Sequence, residues 1–325
     1  MNIINLTNKE LSFTPYDVKW IPSSNRICSV GATGRSTGKI AIFTLEDKRL
    51  TLTTETETGT PIRCCTYGAS DIYTRHVATG DFNGDLQIWD TQHFEAPIDT
   101  VKAHESIIHS IDGIGGNIYS GGARELITGS RDGIVKVWDT RQLQSTVFTI
   151  KPKNNDTIKN EVWAVAFEKS QKSQQRLIAM GYDNGIIRLF DLTSGSYIWE
   201  TNLGDGVCSI DFSMGNNQFL YASTLSGAYT IQLSNGDIKK LDLPPDTTNW
   251  KINQVQQGSG YFSISSGDGK ISIWDQQNVK KPLASSNLTK HPIISLDWHP
   301  NKSGLYVCSA FDQTLKIGCI EQLLK

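Results

Sequence analysis

One eight-residue pattern returns seven times along this chain, and a repeat at a fixed period restricts the fold more than any other sequence feature. A turn with Asp, Asn or Gly is followed by alternating apolar residues, then an aromatic residue and often Asp. The clear copies are NGDLQIWD (83–90), DGIVKVWD (132–139), NGIIRLFD (184–191) and DGKISIWD (268–275). TGKIAIFT (37–44), SGAYTIQL (226–233) and DQTLKIGC (312–319) are weaker. The position held by Trp or Phe in the clear copies falls at Phe43, Trp89, Trp138, Phe190, Gln232, Trp274 and Gly318. The intervals are 46, 49, 52, 42, 42 and 44 residues.

A second strand signal, apolar at alternate positions, precedes each copy. It covers 18–20, 62–65, 108–111, 162–167, 207–212, 250–255 and 293–298. Runs such as HVAT (76–79), LITGS (126–130) and LYVCS (305–309) lie between the two. Four short strands at this period make one blade of a WD-repeat β-propeller. Seven sets therefore predict an all-β, seven-bladed ring that uses residues 1–325 as a single propeller. The last repeat ends at LKIGCI (315–320), one strand short, while the strand-like NIINLT (2–7) is unassigned. Pairing 2–7 outside that last strand would complete the final blade and close the ring.

Composition narrows the function classes. The formal charge is −2, so the chain lacks the basic excess of a protein that grips nucleic acid through phosphates. No apolar run reaches the ~18 residues of a membrane span, and MNIINLTNKE has neither part of a secretory signal. Six cysteines without a C-x-x-C pair are expected to be reduced, mostly buried thiols of a cytoplasmic protein.

Repeat three carries the fullest polar signature: His104, Thr128, Asp132 and Trp138. These residues are expected to form a buried chain of hydrogen bonds across the blade, from Asp to His to hydroxyl to indole. A His/Asp/Thr set resembles a hydrolase triad, but Trp138 occupies the repeat's own position, which favours a structural network. GATGRSTGK (31–39) lacks the first Gly and the final Ser or Thr of a P-loop and leads into a strand, so it reads as a hairpin turn. Cys64–Cys65 has no metal-ligand spacing. No metal, cofactor or catalytic residue is assigned. WDTR (138–141) matches the W-D-x-R pattern of substrate receptors for cullin-type ubiquitin ligases.

Two rings of equivalent positions should open on one face. The first holds Tyr16, Arg63, His109, Trp163, Cys208, Trp250 and Ile294. The second holds Ser36, Phe82, Arg131, Asp183, Leu225, Gly267 and Phe311. Aromatic and Arg side chains are the anchors of protein interfaces. Tyr16, Arg63, His109, Trp163, Trp250, Phe82, Arg131 and Phe311 are therefore the candidate partner-binding face. The competing reading is that the large rings pack between blades.

The chain also resembles the Monad-type WD-repeat family, implicated in cytoplasmic preassembly of axonemal dyneins. VATGDFNGDLQIWD (77–90), SIDGIGG (110–116), ITGSRDGIVKVWD (127–139), GYDNGIIRLFDL (181–192), WETNLGDGVCSIDF (199–212), PIISLDWHP (292–300) and CSAFDQT (308–314) carry the likeness. The segment 276–290 is shorter than the charged insert of the family, so contacts made by that insert are not implied here. The resemblance implies a non-catalytic adaptor, monomeric within a complex, that works with dynein chains and with a RuvB-like ATPase and prefoldin-like co-chaperone assembly. Two alternatives are a ubiquitin-ligase substrate receptor and an enzyme with its pocket at the propeller mouth. The second would need a nucleophile–base pair outside the structural network, and the sequence supplies none.

Overall fold

The alternation of apolar and polar residues is realised as strands throughout. The computed structural model describes residues 1–115, 124–153, 159–169, 176–213, 219–255 and 259–323; part of the SIDGIGG string falls outside them. Among the described residues, 28 strands form seven four-stranded antiparallel sheets, and the one helical element is the 3-10 turn Glu321–Leu323. No helix among them is long and apolar enough to cross a membrane.

Each sheet is a blade in which the chain runs from the innermost strand outward, except that the last blade takes its outermost strand from the N-terminus. The inner strands are Thr14–Trp20, Ile62–Thr66, Ile108–Gly113, Val162–Phe167, Val207–Phe212, Asn249–Gln254 and Ile293–Trp298, numbered here as blades one to seven. Blade one begins earlier than its alternating pattern suggests, because Thr14 and Pro15 already pair with Ala32 and Gly31. Successive inner strands lie against one another all the way round, and the first meets the last.

Seven buried apolar clusters occupy the seven boundaries between blades. One joins Val18, Trp20 and Phe43 of blade one to Val307, Leu315 and Ile317 of blade seven. Another joins Ile127 and Val137 of blade three to Val165 and Met180 of blade four. A blade thus buries its faces only against its neighbours, and the ring is the unit that removes apolar surface from water. Gly129 shows how close the sheets come. A Cβ there would lie 2.6 Å from Val162 and 2.7 Å from Val165.

The N-terminal strand Ile3–Glu10 pairs antiparallel with Thr314–Ile320 and supplies the outer strand of blade seven. It runs three residues beyond the 2–7 segment, because Asn8, Lys9 and Glu10 continue the ladder opposite Lys316, Leu315 and Thr314. The inner edges are closed by side chains. Phe167 N–H donates to Asp112 at 2.9 Å, Gln254 N–H to Asp211 at 2.8 Å and Trp20 N–H to Asp297 at 2.8 Å. Each bond crosses a blade boundary and satisfies an edge amide that would otherwise lack a partner.

Candidate functional site: the mouth of the ring

A β-bulge sits at the start of every inner strand. The pairing register skips Tyr16, Arg63, His109, Trp163, Cys208, Trp250 and Ile294, one residue per blade. A bulged residue is left out of the ladder, and its side chain is re-aimed. All seven line one cavity of about 430 Å³ at the mouth of the ring. The first predicted ring is therefore a set of bulge residues, brought together by a backbone irregularity that repeats with the blades.

The second ring is held by a repeated backbone bond. Phe82, Arg131, Asp183, Leu225, Gly267 and Phe311 each donate their N–H to the carbonyl just before the inner strand of their own blade, at 2.8–3.0 Å. Blade one departs from this. Its hairpin 33–37 is longer, and Thr33 is the residue that follows the strand ending at Ala32, whereas Ser36 sits in the turn at φ 62°. Counting along the sequence misplaced that member by the length of the turn. Of this ring, Phe82 and Phe311 reach the cavity wall.

Two clusters organise the mouth. The rings of Tyr16 and Phe82 lie 5.6 Å apart, and the Arg63 guanidinium sits 5.9 Å from the Tyr16 ring centre. Across the boundary of blades three and four, Glu161 gathers His109 Nε2 at 3.2 Å, Trp163 Nε1 at 3.1 Å and Arg131 Nε at 2.9 Å. Glu161 is a central residue that sequence reasoning missed. Its one signal was its position immediately before an inner strand. Burial works against its ionisation, but bonds from Trp163 and His109 and the charge of Arg131 carry the carboxyl below its ordinary range. His109 is pushed down by burial and by Arg63, against the pull of Glu161, which favours the neutral ring at pH 7.

The predicted aromatics are only partly buried, and one of them also packs between blades. Tyr16, Phe82, Trp163 and Trp250 are half-buried and Phe311 is exposed. Trp163 also packs over the next blade, where a Cβ on Gly206 would lie 2.5 Å from its ring. The Trp250 indole N–H is buried without a hydrogen-bond partner.

Below the mouth the channel is charged. Asp17 accepts from Ser295 Oγ at 2.6 Å and from Cys65 N–H at 3.0 Å, and Lys19 lies 3.4 Å away. Burial opposes charge on both, but their mutual attraction prevails: the Asp17 pKa is lowered and the Lys19 pKa raised. Asp112, Lys169, Asp211 and Asp297 line a second cavity of about 260 Å³ at the opposite end.

The blade-three network is fully assembled. His104 Nδ1 lies 3.0 Å from Asp132, His104 Nε2 lies 2.8 Å from Thr128 Oγ1, and Trp138 Nε1 donates to Thr128 Oγ1 at 3.0 Å. Burial would raise the Asp132 carboxyl, but the bond and charge of His104 and the amides of Ile134 and Glu105 hold it at about 2. His104 is 2% exposed, so the set lies closed within the blade with its polar atoms bonded to one another. Blade two keeps a fragment of it, with Trp89 donating to Thr79 at 3.0 Å; in blade six Ile264 takes the Thr position, and Trp274 donates instead to Ser272 of its own strand at 2.8 Å. In blade seven the His position is taken by Thr289, which donates to Asp312 at 2.6 Å, while His291 lies nearer the strand.

The remaining motifs have local explanations. Residues 33–37 form a hairpin turn between two strands. All six cysteines are free, five of them buried. Among the described residues no group of His, Cys, Asp or Glu could hold a metal ion. In WDTR, Arg141 grips Asp139 of its own turn, with Nη2 to Oδ2 at 2.5 Å. The 276–290 segment holds a turn and the outer strand Ala284–Asn287 of blade six.

The family described as "WD domain, G-beta repeat" matches residues 95–139 and 281–317. Dynein axonemal assembly factor 10 of Danio rerio is 39% identical over 99% of this chain and 97% of its own length. The Homo sapiens protein of that name is 36% identical, over 99% of this chain and 98% of its own. The chain belongs to the dynein axonemal assembly factor 10 family. The Chlamydomonas reinhardtii member is 33% identical over 99% of this chain and 98% of its own. Coverage at this level in the family takes in every blade and both strands that close the ring.

Proposed function

We propose that this protein is a non-catalytic binding platform in the assembly of axonemal dynein, and that partners dock on the mouth lined by the seven bulge residues. The near-complete match to dynein axonemal assembly factors supports the process. One observation carries the docking face: a bulge in every blade re-aims a side chain to the same rim, and five of the residues at the mouth are large aromatics. Rigid rings give contact area with few rotors, which is the character of binding hot spots. The finer reading is cytoplasmic action as a monomer within a complex of dynein chains and a RuvB-like ATPase and prefoldin-like co-chaperone assembly.

Affinity purification of the tagged chain from ciliated cells tests this directly. Chaperone subunits and dynein chains should co-purify, and Trp163→Ala or Trp250→Ala should weaken their retention by about 2 kcal/mol, the hot-spot scale. Recovery of a cullin adaptor instead would favour the ubiquitin-ligase alternative suggested by WDTR. Unchanged retention by both Trp variants would move the docking face to the outer rim or the opposite opening.

A further inference from the structure

The charges at the mouth are unevenly satisfied. The cavity wall carries three cations, Lys19, Arg63 and Lys251, and two carboxylates, Asp17 and Glu161. Both carboxylates are fully engaged, Asp17 by Ser295, an amide and Lys19, and Glu161 by Arg131, His109 and Trp163. The side chains of Arg63 and Lys251 make no hydrogen bond or ion pair with any described residue, although both residues are half-buried; Arg63 lies over the Tyr16 ring, and Lys251 feels Asp17, Asp211 and Asp112 only from beyond ion-pair distance. Arg63 occupies the bulge position of blade two, and Lys251 lies one residue deeper in blade six. A chain of net charge −2 thus has a locally cationic mouth.

We propose that the mouth receives the carboxylate of an Asp or Glu side chain from an extended segment of a protein partner, held between Arg63 and Lys251. This rests on the mouth being the docking face. Aromatic walls stand on the two arcs of the rim between these cations, Trp163 of blade four on one and Tyr16 of blade one and Phe311 of blade seven on the other. A segment can therefore enter over one wall and leave over the other, which favours a side-chain carboxylate within the segment over a chain terminus. Arg63 and Lys251 supply charge-assisted donors, which are stronger than neutral ones. Burial and the like charge of Lys19 depress the Lys251 ammonium against the pull of Asp17, Asp211 and Asp112, so an incoming carboxylate relieves a cost already present in the free protein. Two spare cations are too few to follow a nucleic-acid backbone.

Panning a random twelve-residue phage-displayed peptide library against the full chain tests the proposal. Enriched peptides should share an Asp or Glu flanked by apolar or aromatic residues. Synthetic copies should lose at least about tenfold in affinity against Arg63→Gln and against Lys251→Met, and also when their acid is changed to the amide. Thermal melts of both variants separate binding from folding. Arg63, outside the channel's ion pairs, keeps the test valid should Lys251→Met destabilise the ring. Enriched peptides without an acid that still depend on Trp163 and Trp250 would overturn the carboxylate anchor and leave the docking face standing. Peptides indifferent to all four residues would remove both, and a library yielding no mouth-dependent binder would also overturn the anchor.

Discussion

Glu161 Oε2 lies 3.1 Å from the indole Nε1 of Trp163, so the carboxylate just before the blade-four inner strand fixes the ring that the bulge turns toward the mouth. The same oxygen lies 3.2 Å from His109 Nε2 of blade three. One partly exposed acid therefore sets the orientation of mouth side chains on two blades.

Replacing Glu161 with Gln removes the charge and keeps the shape. The carboxylate favours protonated His109, against burial and Arg63, so its loss should lower the His109 titration midpoint below the wild-type value. A ring-proton NMR titration reads this, and an unchanged midpoint would refute the coupling. Because the Glu161 side chain is 27% exposed, folding stability should fall by no more than about 1 kcal/mol.

His104→Ala should act on stability. It leaves the Asp132 carboxylate and the Thr128 hydroxyl short of partners, at roughly 1–3 kcal/mol for each unsatisfied group. The pH dependence follows from Asp132, whose folded pKa is about 2 against an ordinary 3.8. A depressed carboxyl contributes stability that is present above about pH 4 and lost as pH falls toward 2, amounting to about 2 kcal/mol. The variant should lose most of that slope in denaturant titrations run between pH 5 and 2. A wild-type slope would show that the network does not hold Asp132.

Much of the fold was legible because each blade repeats the same strand alternation and turn residues, so Trp89, Trp138, Phe190 and Trp274 mark their strands directly. The mouth positions were legible by the same count, since a bulge that occurs in every blade preserves the spacing from Tyr16 to Ile294. The bulge itself was not legible, because it is a property of pairing and leaves no residue type behind: Tyr, Arg, His, Trp, Cys and Ile all occupy it. The count failed at Ser36, where an extended hairpin breaks the spacing. Glu161 and Lys251 escaped notice for another reason. Their roles depend on which blades face each other across the boundary and the channel, and a blade-by-blade alignment carries no such information.

Arg188 is a second feature that periodicity concealed: it stands at the polar position that Gln87, Lys136 and Ser272 hold in other copies of the repeat, yet it is buried. It is 2% exposed, pairs with Glu200 at 2.8 Å on the adjacent strand and lies 5.2 and 5.6 Å from the ring centres of Tyr182 and Tyr197. Glu200 is also bound by Lys153 at 2.7 Å and remains 38% exposed, so removing Arg188 does not strand it. Arg188→Met should therefore cost less than about 1 kcal/mol, since it keeps the packing and omits a buried charge. Arg188→Ala opens a cavity and should cost about 2–3 kcal/mol. Equal losses in urea titrations would show that the guanidinium's polar bonds, and not its volume, support the blade.

Closure of the ring gives the most stringent test of the architecture. Ile3–Glu10 pairs along the whole of Thr314–Ile320, and Ile3 and Leu6 pack against the clusters on either side of blade seven. Deleting residues 1–10 exposes the edge of Thr314–Ile320 and uncovers part of both clusters. An unpaired apolar edge is also a template for association. The melting temperature should fall by roughly 5 °C or more, given a loss of a few kcal/mol, and the truncated chain should self-associate at concentrations where the full chain does not. Adding a synthetic peptide of residues 1–10 should restore part of the lost melting temperature, because the vacated edge can accept it by strand addition. A peptide with Leu6 changed to Asp should restore less, since Leu6 is the side chain that packs against the boundary with blade one. If the truncated chain melts like the full one, blade seven holds without its outer strand, and the N-terminal segment is not what closes the ring.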